Sequence, residues 1–135
     1  MRTTALLVSV SLGLAGCGAS DSEQVTATVE EYFDALSERK FDRACELAGP
    51  ALQRKFADYA RKQLRMPPSP CPRVLARIAS MTDPRLVAAQ RKLTVRKVDL
   101  DGDTARAELS ATDQRATLAK LDGEWRISAL DFGSR

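Results

Sequence analysis

The chain has 135 residues, of which 44% are hydrophobic and 29% are charged, and its formal net charge is +3. This length allows one domain around one hydrophobic core, and the composition is typical of a soluble globular protein. The sequence contains no histidine, which excludes Ser-His-Asp and Cys-His catalytic sites and removes the commonest general base.

The amino terminus has the pattern of a bacterial lipoprotein signal peptide. Arg2 supplies a positive charge, an uncharged run rich in Leu, Val and Ala occupies residues 3–14, and the motif Leu14-Ala15-Gly16-Cys17 ends it. The run is too short to span a bilayer, which takes roughly 20 apolar residues. Leu-Ala-Gly-Cys resembles the lipobox of bacterial lipoproteins, whose cysteine receives diacylglycerol and acyl chains such as palmitate.

The lipobox resemblance implies a division of the chain into three parts. Residues 1–16 are a signal peptide that is removed, residues 17–23 are the lipidated Cys17 with a short tether, and residues 24–135 are a single domain. The expected location is the extracytoplasmic face of the cell membrane, to which lipid on Cys17 attaches the protein. The alternative is an apolar strand with a chance cysteine.

Apolar residues at helical spacing predict helices through the first two thirds of the domain. Asp21, with Gln24 as its capping-box partner, is the predicted N-cap of the first helix. The apolar face of that helix consists of Val25, Val29, Tyr32, Phe33 and Leu36. A second short helix ends at Gly49-Pro50 and a third follows it. Two more begin at Cys71-Pro72 and at Pro84, after a proline-rich loop at 66–70.

Two cysteines, Cys45 and Cys71, remain once Cys17 is assigned to lipid. Because an extracytoplasmic compartment permits disulfides, we expect these two to pair. Two buried free thiols are the alternative, and a metal site is disfavoured because the chain has too few ligands and no histidine. Such a bond would stabilise the fold by about 3 to 4 kcal/mol in the chain-entropy model.

The third predicted helix places Arg54, Arg61 and Arg65 on the face opposite its apolar stripe. Basic residues also outnumber acidic ones throughout residues 39–97. One interpretation is a solvated helix face. The other is a patch that contacts an anionic lipid surface beside the tether, where each basic side chain contributes about 1 kcal/mol. Nucleic acid is not an expected partner outside the cell.

After Gln90 the apolar period changes from 3.6 to 2, which predicts strands at about 92–100, 103–111, 115–121 and 124–130. Asp-Gly pairs at 101–102 and 122–123 predict type I′ hairpins, whose two central residues both need positive φ. We expect a bulge near Arg96-Lys97, with Leu118 opposite Ile127 and Ala116 opposite Ala129. The fold class is therefore α+β, with N-terminal helices packed on a C-terminal four-stranded antiparallel meander.

Two segments resemble the nuclear-transport-factor-two-like superfamily, also called SnoaL-like or cystatin-like. They are Val29-Glu30-Glu31-Tyr32-Phe33-Asp34-Ala35-Leu36, followed by Phe41-Asp42-Arg43-Ala44-Cys45, and the hairpin Leu121-Asp122-Gly123-Glu124-Trp125-Arg126-Ile127. Within that superfamily the chain is similar to small bacterial lipoproteins, many of unknown function. The resemblance implies a cone between the sheet and the long helix, and the expected ligand-lining residues are Tyr32, Phe33, Trp125 and Ile127.

Fold alone does not determine function, since this superfamily includes isomerases, dehydratases, binding modules and dimerisation domains. We expect a non-enzymatic envelope protein whose cone binds a small apolar ligand or a protein partner, without a metal or another cofactor. An interaction or dimerisation module with a filled cone is one alternative. The other is a small isomerase or dehydratase, with Tyr32, Asp34 and Asp131 as candidate acids and bases and a buried carboxylate of raised pKa in the cone.

Overall fold

In the part of the chain that the structure describes, five α-helices precede a four-stranded antiparallel sheet. The computed structural model describes residues 19–110 and 114–131, so the predicted signal peptide and Cys17 lie outside the described residues. The helices are α1 (Asp21–Ser37), α2 (Phe41–Leu47), α3 (Pro50–Lys62), α4 (Cys71–Met81) and α5 (Pro84–Ala89). After a 3₁₀ turn (Gln90–Lys92) come β1 (Val95–Asp101), β2 (Thr104–Leu109), β3 (Arg115–Leu121) and β4 (Glu124–Asp131). The predicted α+β class and meander are confirmed.

The start of α1 differs from the prediction. Ser20, not Asp21, is the N-cap, and its hydroxyl accepts a hydrogen bond from the Glu23 N–H at 3.2 Å. The side chain of Gln24 instead donates to the Ala19 carbonyl at 2.7 Å. A serine three residues before a glutamate is itself a capping pair, which explains the shift by one residue. Residues 21–23, which the prediction assigned to the tether, are the first residues of α1.

The helices cover one face of the sheet, whose strands lie in the order β1-β2-β3-β4. The expected apolar face of α1 is confirmed, with Val25, Val29, Tyr32 and Phe33 buried. Alternate residues of β2, β3 and the first half of β4 also point into this layer. These buried strand residues are Ala105, Ala107, Leu109, Ala116, Leu118, Trp125 and Ile127. The alternation forms one core between helices and sheet.

The two hairpin turns are of different types. Asp122 and Gly123 have φ values of 51° and 78°, which confirms the predicted type I′ turn between β3 and β4. Between β1 and β2 the paired residues are Asp101 and Thr104, so the central residues are Gly102 and Asp103. Only Gly102 has positive φ there. The predicted Asp101-Gly102 type I′ turn is wrong, because a glycine at the first central position favours the type II′ conformation.

Two bulges adjust the register of the sheet. The one in β1, between Val95 and Lys97, was predicted. In the last hairpin Leu118 lies opposite Ile127 as expected, but the register shifts next to Thr117 and places Ala116 opposite Leu130. The predicted pairing of Ala116 with Ala129 is therefore wrong. Ser128 is the extra residue, and its hydroxyl donates to the Thr117 carbonyl at 3.0 Å, so the bulge retains a hydrogen bond.

A disulfide joins α2 to the first residue of α4. The Cys45–Cys71 bond has an S–S distance of 2.07 Å, and the two Cα atoms are 6.1 Å apart. This confirms the predicted pairing and excludes two free thiols. Near the same helices, the Gly49 N–H donates to the Ile127 carbonyl at 2.8 Å, which fixes the start of α3 against β4. Among the described helices, none is both long and apolar enough to cross a membrane.

Candidate functional site

A small apolar cavity of about 170 Å³ lies where the C-terminal half of α1 meets α3, α4, α5 and β4. Most of its lining residues lie on those four helices. The lining residues are Tyr32, Phe33, Leu36, Phe56, Leu75, Ile78, Ala79, Thr82, Val87, Gln90 and Leu130. The helix α5 has no buried residue, so this side of the cavity is covered by the least embedded helix of the domain.

Tyr32 supplies the most deeply buried polar group of this cavity. Its side chain is 1% exposed, and its ring packs edge-on against Phe33 with the ring centroids 5.2 Å apart. The hydroxyl makes no hydrogen bond to any described residue, and loss of solvent on burial raises the pKa of Tyr32 well above its ordinary value. The phenol is therefore neutral at physiological pH and retains a proton that it can donate in a hydrogen bond.

The structure separates the four residues that were expected to line one cone. Tyr32 and Phe33 line the cavity, whereas Ile127 is fully buried in the core and does not reach it. Trp125 lies at the opposite end of α1. Its indole N–H donates to Asp21 Oδ1 at 3.1 Å.

Asp21 holds the start of α1 against the β3–β4 hairpin. Its Oδ1 atom accepts hydrogen bonds from Trp125 and, at 3.0 Å, from Lys120 Nζ, which also lies 5.8 Å from the centre of the Trp125 ring. The two hydrogen bonds, that of Trp125 first, lower the pKa of Asp21. Sequence reasoning missed this cluster because Asp21 is 99 and 104 residues away from its partners, and no local pattern connects them.

A polar groove of about 590 Å³ runs between α1, α2 and the β3–β4 hairpin, beside Trp125. Its basic side chains are already bound to protein oxygens. Arg43 pairs with Glu31 at 2.7 Å and with Glu46 at 2.8 Å, and both carboxylates raise the pKa of Arg43. Arg126 donates to the Glu46 carbonyl and pairs with Glu124. The groove thus offers a ligand few unsatisfied charges.

The candidate acids and bases are not gathered in the cavity. Asp34 is exposed on α1, Asp131 is exposed at the end of β4, and neither lines the cavity. None of the buried residues within 19–110 and 114–131 is charged. The same ranges contain no group of three His, Cys, Asp or Glu side chains placed to hold a metal ion.

The predicted basic face is only partly helical. Arg54 and Arg61 are exposed on α3, and Arg61 pairs with Asp58 at 3.1 Å. Arg65 follows the end of the helix at Lys62 and has a positive φ of 50°. The expectation that Arg65 shares their helix face is wrong, because the chain turns there and the Met66 N–H returns to the Ala60 carbonyl at 3.0 Å.

Comparison of the chain with protein-family models, curated proteins and solved structures finds no significant match in any of the three.

Proposed function

We propose that this protein is a non-enzymatic, lipid-anchored protein of the bacterial cell envelope whose single domain binds a small apolar ligand. One observation carries the ligand-binding part of the proposal. The apolar cavity beneath α5 is lined by Tyr32, whose side chain is 1% exposed and whose hydroxyl makes no hydrogen bond to any described residue. An apolar pocket with one oriented polar group is a common design of small-molecule sites.

The size of the cavity limits the ligand. An engineered protein cavity of about 150 Å³ stays dry and binds benzene, so a volume of about 170 Å³ fits one six-membered ring or a short hydrocarbon chain. The Tyr32 hydroxyl supplies one hydrogen bond for an oxygen of that ligand. The unfilled interior also favours a binding module over an interaction module with a filled cone.

The anchoring part of the proposal comes from the sequence Leu14-Ala15-Gly16-Cys17. Since α1 begins at Asp21, three residues separate Cys17 from the helix. The chain between the two Cα atoms then spans at most about 14 Å. A lipid on Cys17 would therefore hold the domain directly at the membrane surface, where apolar small molecules concentrate.

Calorimetric titration with benzene and phenol tests ligand binding. We expect both to bind the mature chain, and phenol to lose about fivefold to tenfold in affinity in Tyr32→Phe, since a net hydrogen bond contributes about 1 kcal/mol. Benzene affinity should stay the same in that variant. Tyr59→Phe is the matched control, because Tyr59 is 45% exposed and lies outside the cavity. Absence of binding by both compounds would refute the ligand-binding part.

Metabolic labelling with a fatty-acid analogue tests the anchor. The full-length protein should take up label and lose residues 1–16, and Cys17→Ser should abolish both processes. Cys71→Ser is the control, since it removes a cysteine of the domain and leaves the lipobox intact. Label that persists in Cys17→Ser, or that also disappears in Cys71→Ser, would count against lipid on Cys17.

A further inference from the structure

A second depression follows the seam between α3 and α4, and it shares Phe56 with the lining of the apolar cavity. It consists of two hollows of about 350 and 230 Å³ that share Ala57, Ser69 and Val74. The two hollows therefore adjoin, and together they are called the α3–α4 groove. Arg54 lines the first hollow and Arg61 lines the second.

The floor and one wall of this groove are apolar and rigid. Val74 is buried at the floor, and Pro67 and Pro68 form the wall of the second hollow. Cys71, which lines the first hollow, is fixed by its disulfide to Cys45. Proline rings and a disulfide leave this segment little conformational freedom, so a ligand that binds there loses little free energy in ordering the protein.

The rim of the groove is basic. Arg54 makes no ion pair with any described residue, in contrast to the arginines of the polar groove beside Trp125. Asp58 is the one acidic residue among those lining the two hollows, and it offsets part of the charge of Arg61. Further exposed cations on the two helices are Lys55, Lys62, Arg73 and Arg77.

The two lining arginines have a defined spacing. Arg54 and Arg61 are seven residues apart on α3, which places them on the same side of the helix about 10.5 Å apart along its axis. In a polyproline II segment, residues i and i+3 point to the same side and lie about 9 Å apart. Two carboxylates at that spacing match the two guanidinium groups.

We propose that the α3–α4 groove binds an extended acidic segment of a partner protein, with carboxylates at positions i and i+3 on Arg54 and Arg61 and small apolar residues on the floor. Charge complementarity and concave shape favour this occupant over a bilayer, because a bilayer surface does not reach apolar groups at the bottom of a groove. The proposal requires neither the lipid anchor nor the ligand cavity. Its failure would therefore leave those two proposals unaffected.

Fluorescence anisotropy with the full chain carrying Cys17→Ser tests the proposal. The probe is a labelled peptide containing Glu-Pro-Pro-Glu, and the comparison peptide contains Gln-Pro-Pro-Gln. We expect the acidic peptide to bind at least tenfold more tightly than the neutral one. Equal affinity of the two peptides, or binding by neither, would overturn the proposal without any variant.

Paired variants locate the binding surface. Arg54→Gln with Arg61→Gln should lower the affinity for the acidic peptide at least tenfold. Arg85→Gln with Arg106→Gln removes the same charge from two exposed residues on α5 and β2 and should change affinity less than twofold. If both pairs of substitutions weaken binding of the acidic peptide equally, the effect comes from net charge and the groove is not the binding site. If Arg54→Gln with Arg61→Gln abolishes sedimentation with phosphatidylglycerol vesicles but leaves the peptide affinity unchanged, the proposal is refuted. These arginines would then contact the membrane instead.

Discussion

The hydroxyl group of Tyr32 is expected to lower the free energy of unfolding of the domain while it serves the proposed ligand site. A buried hydroxyl without a hydrogen-bond partner costs about 1 to 3 kcal/mol relative to one that remains in water. Tyr32 is 1% exposed, and the other residues that line its cavity are apolar except for Thr82 and Gln90. A phenylalanine at this position would fill the same volume without that cost, as expected if the hydroxyl serves the proposed ligand site.

Tyr32→Phe should therefore raise the free energy of unfolding by about 1 kcal/mol, because it removes an unpartnered polar group from an apolar cavity. Urea denaturation followed by circular dichroism measures this. Tyr59→Phe should leave the value unchanged, since Tyr59 is half exposed. A stability loss in Tyr32→Phe would mean that the hydroxyl has a hydrogen-bond partner in the folded protein.

Asp21 gives the acid stability of the protein a specific origin. Hydrogen bonds from Trp125 and Lys120 lower the pKa of Asp21 below its ordinary value of 3.8. A depressed folded-state pKa adds stability that is fully present above the unfolded-state value and is lost as the pH falls through the folded-state value. The contribution of Asp21 should therefore begin to decline near pH 3.8 and be lost as the pH falls through the lower folded-state pKa.

Asp21→Asn should flatten the fall in unfolding free energy between about pH 4 and pH 2. Part of the fall should remain in this variant because of Glu38, whose pKa is also lowered, by the hydrogen bond and charge of Lys40. Urea denaturation across this pH range is the measurement, and Asp34→Asn is the control on the same helix. An Asp21→Asn profile parallel to that of the unmutated protein would show that the contacts with Trp125 and Lys120 do not persist in solution.

At the scale of elements, local chemistry predicted the order of helices and strands, and non-local contacts decided their details. The starts of α4 at Cys71 and of α5 at Pro84 are visible in the sequence. The Ser128 bulge is not, because it depends on how β4 aligns with β3. The end of α3 is likewise set where the chain turns at Arg65 toward the proline loop.

The disulfide should be the largest single contribution that joins two elements. It closes a loop with a sequence separation of 26 between α2 and α4, which corresponds to about 3.5 kcal/mol in the chain-entropy model. Cys45→Ala with Cys71→Ala should lower the unfolding free energy by that amount in urea. The unmutated protein under reducing conditions provides the matched comparison. A loss below about 1 kcal/mol in both would contradict a structural role for this bond.

At the scale of the molecule, the candidate site was only half predictable. Tyr32 and Phe33 were found from the apolar face of one helix, and both line the cavity. Trp125 was predicted beside them but contacts Asp21 at the other end of α1. The reason is that periodicity assigns a residue to a face, whereas a cavity depends on the packing of several elements that are distant in the chain. Phe56, Ile78 and Val87 could not be assigned to the cavity from periodicity alone.

The long helix α1 also separates the two ends of the molecule. With 17 residues it is about 26 Å long. The predicted lipid attachment lies beyond its first turn, and the cavity lies at its last two turns. A lipid-anchored domain of this kind would hold its Asp21 end at the membrane and its ligand cavity at the distant end of α1.

The central claim is that the cavity beneath α5 is a ligand site, and methyl NMR during a titration with phenol tests it most directly. We predict saturable chemical-shift changes at the methyl groups of Leu36, Leu75, Ile78 and Val87, which line the cavity. The exposed Leu100 and Leu121 should show none. Unchanged cavity methyl groups up to the solubility limit of phenol, or changes confined to the exposed leucines, would contradict the account.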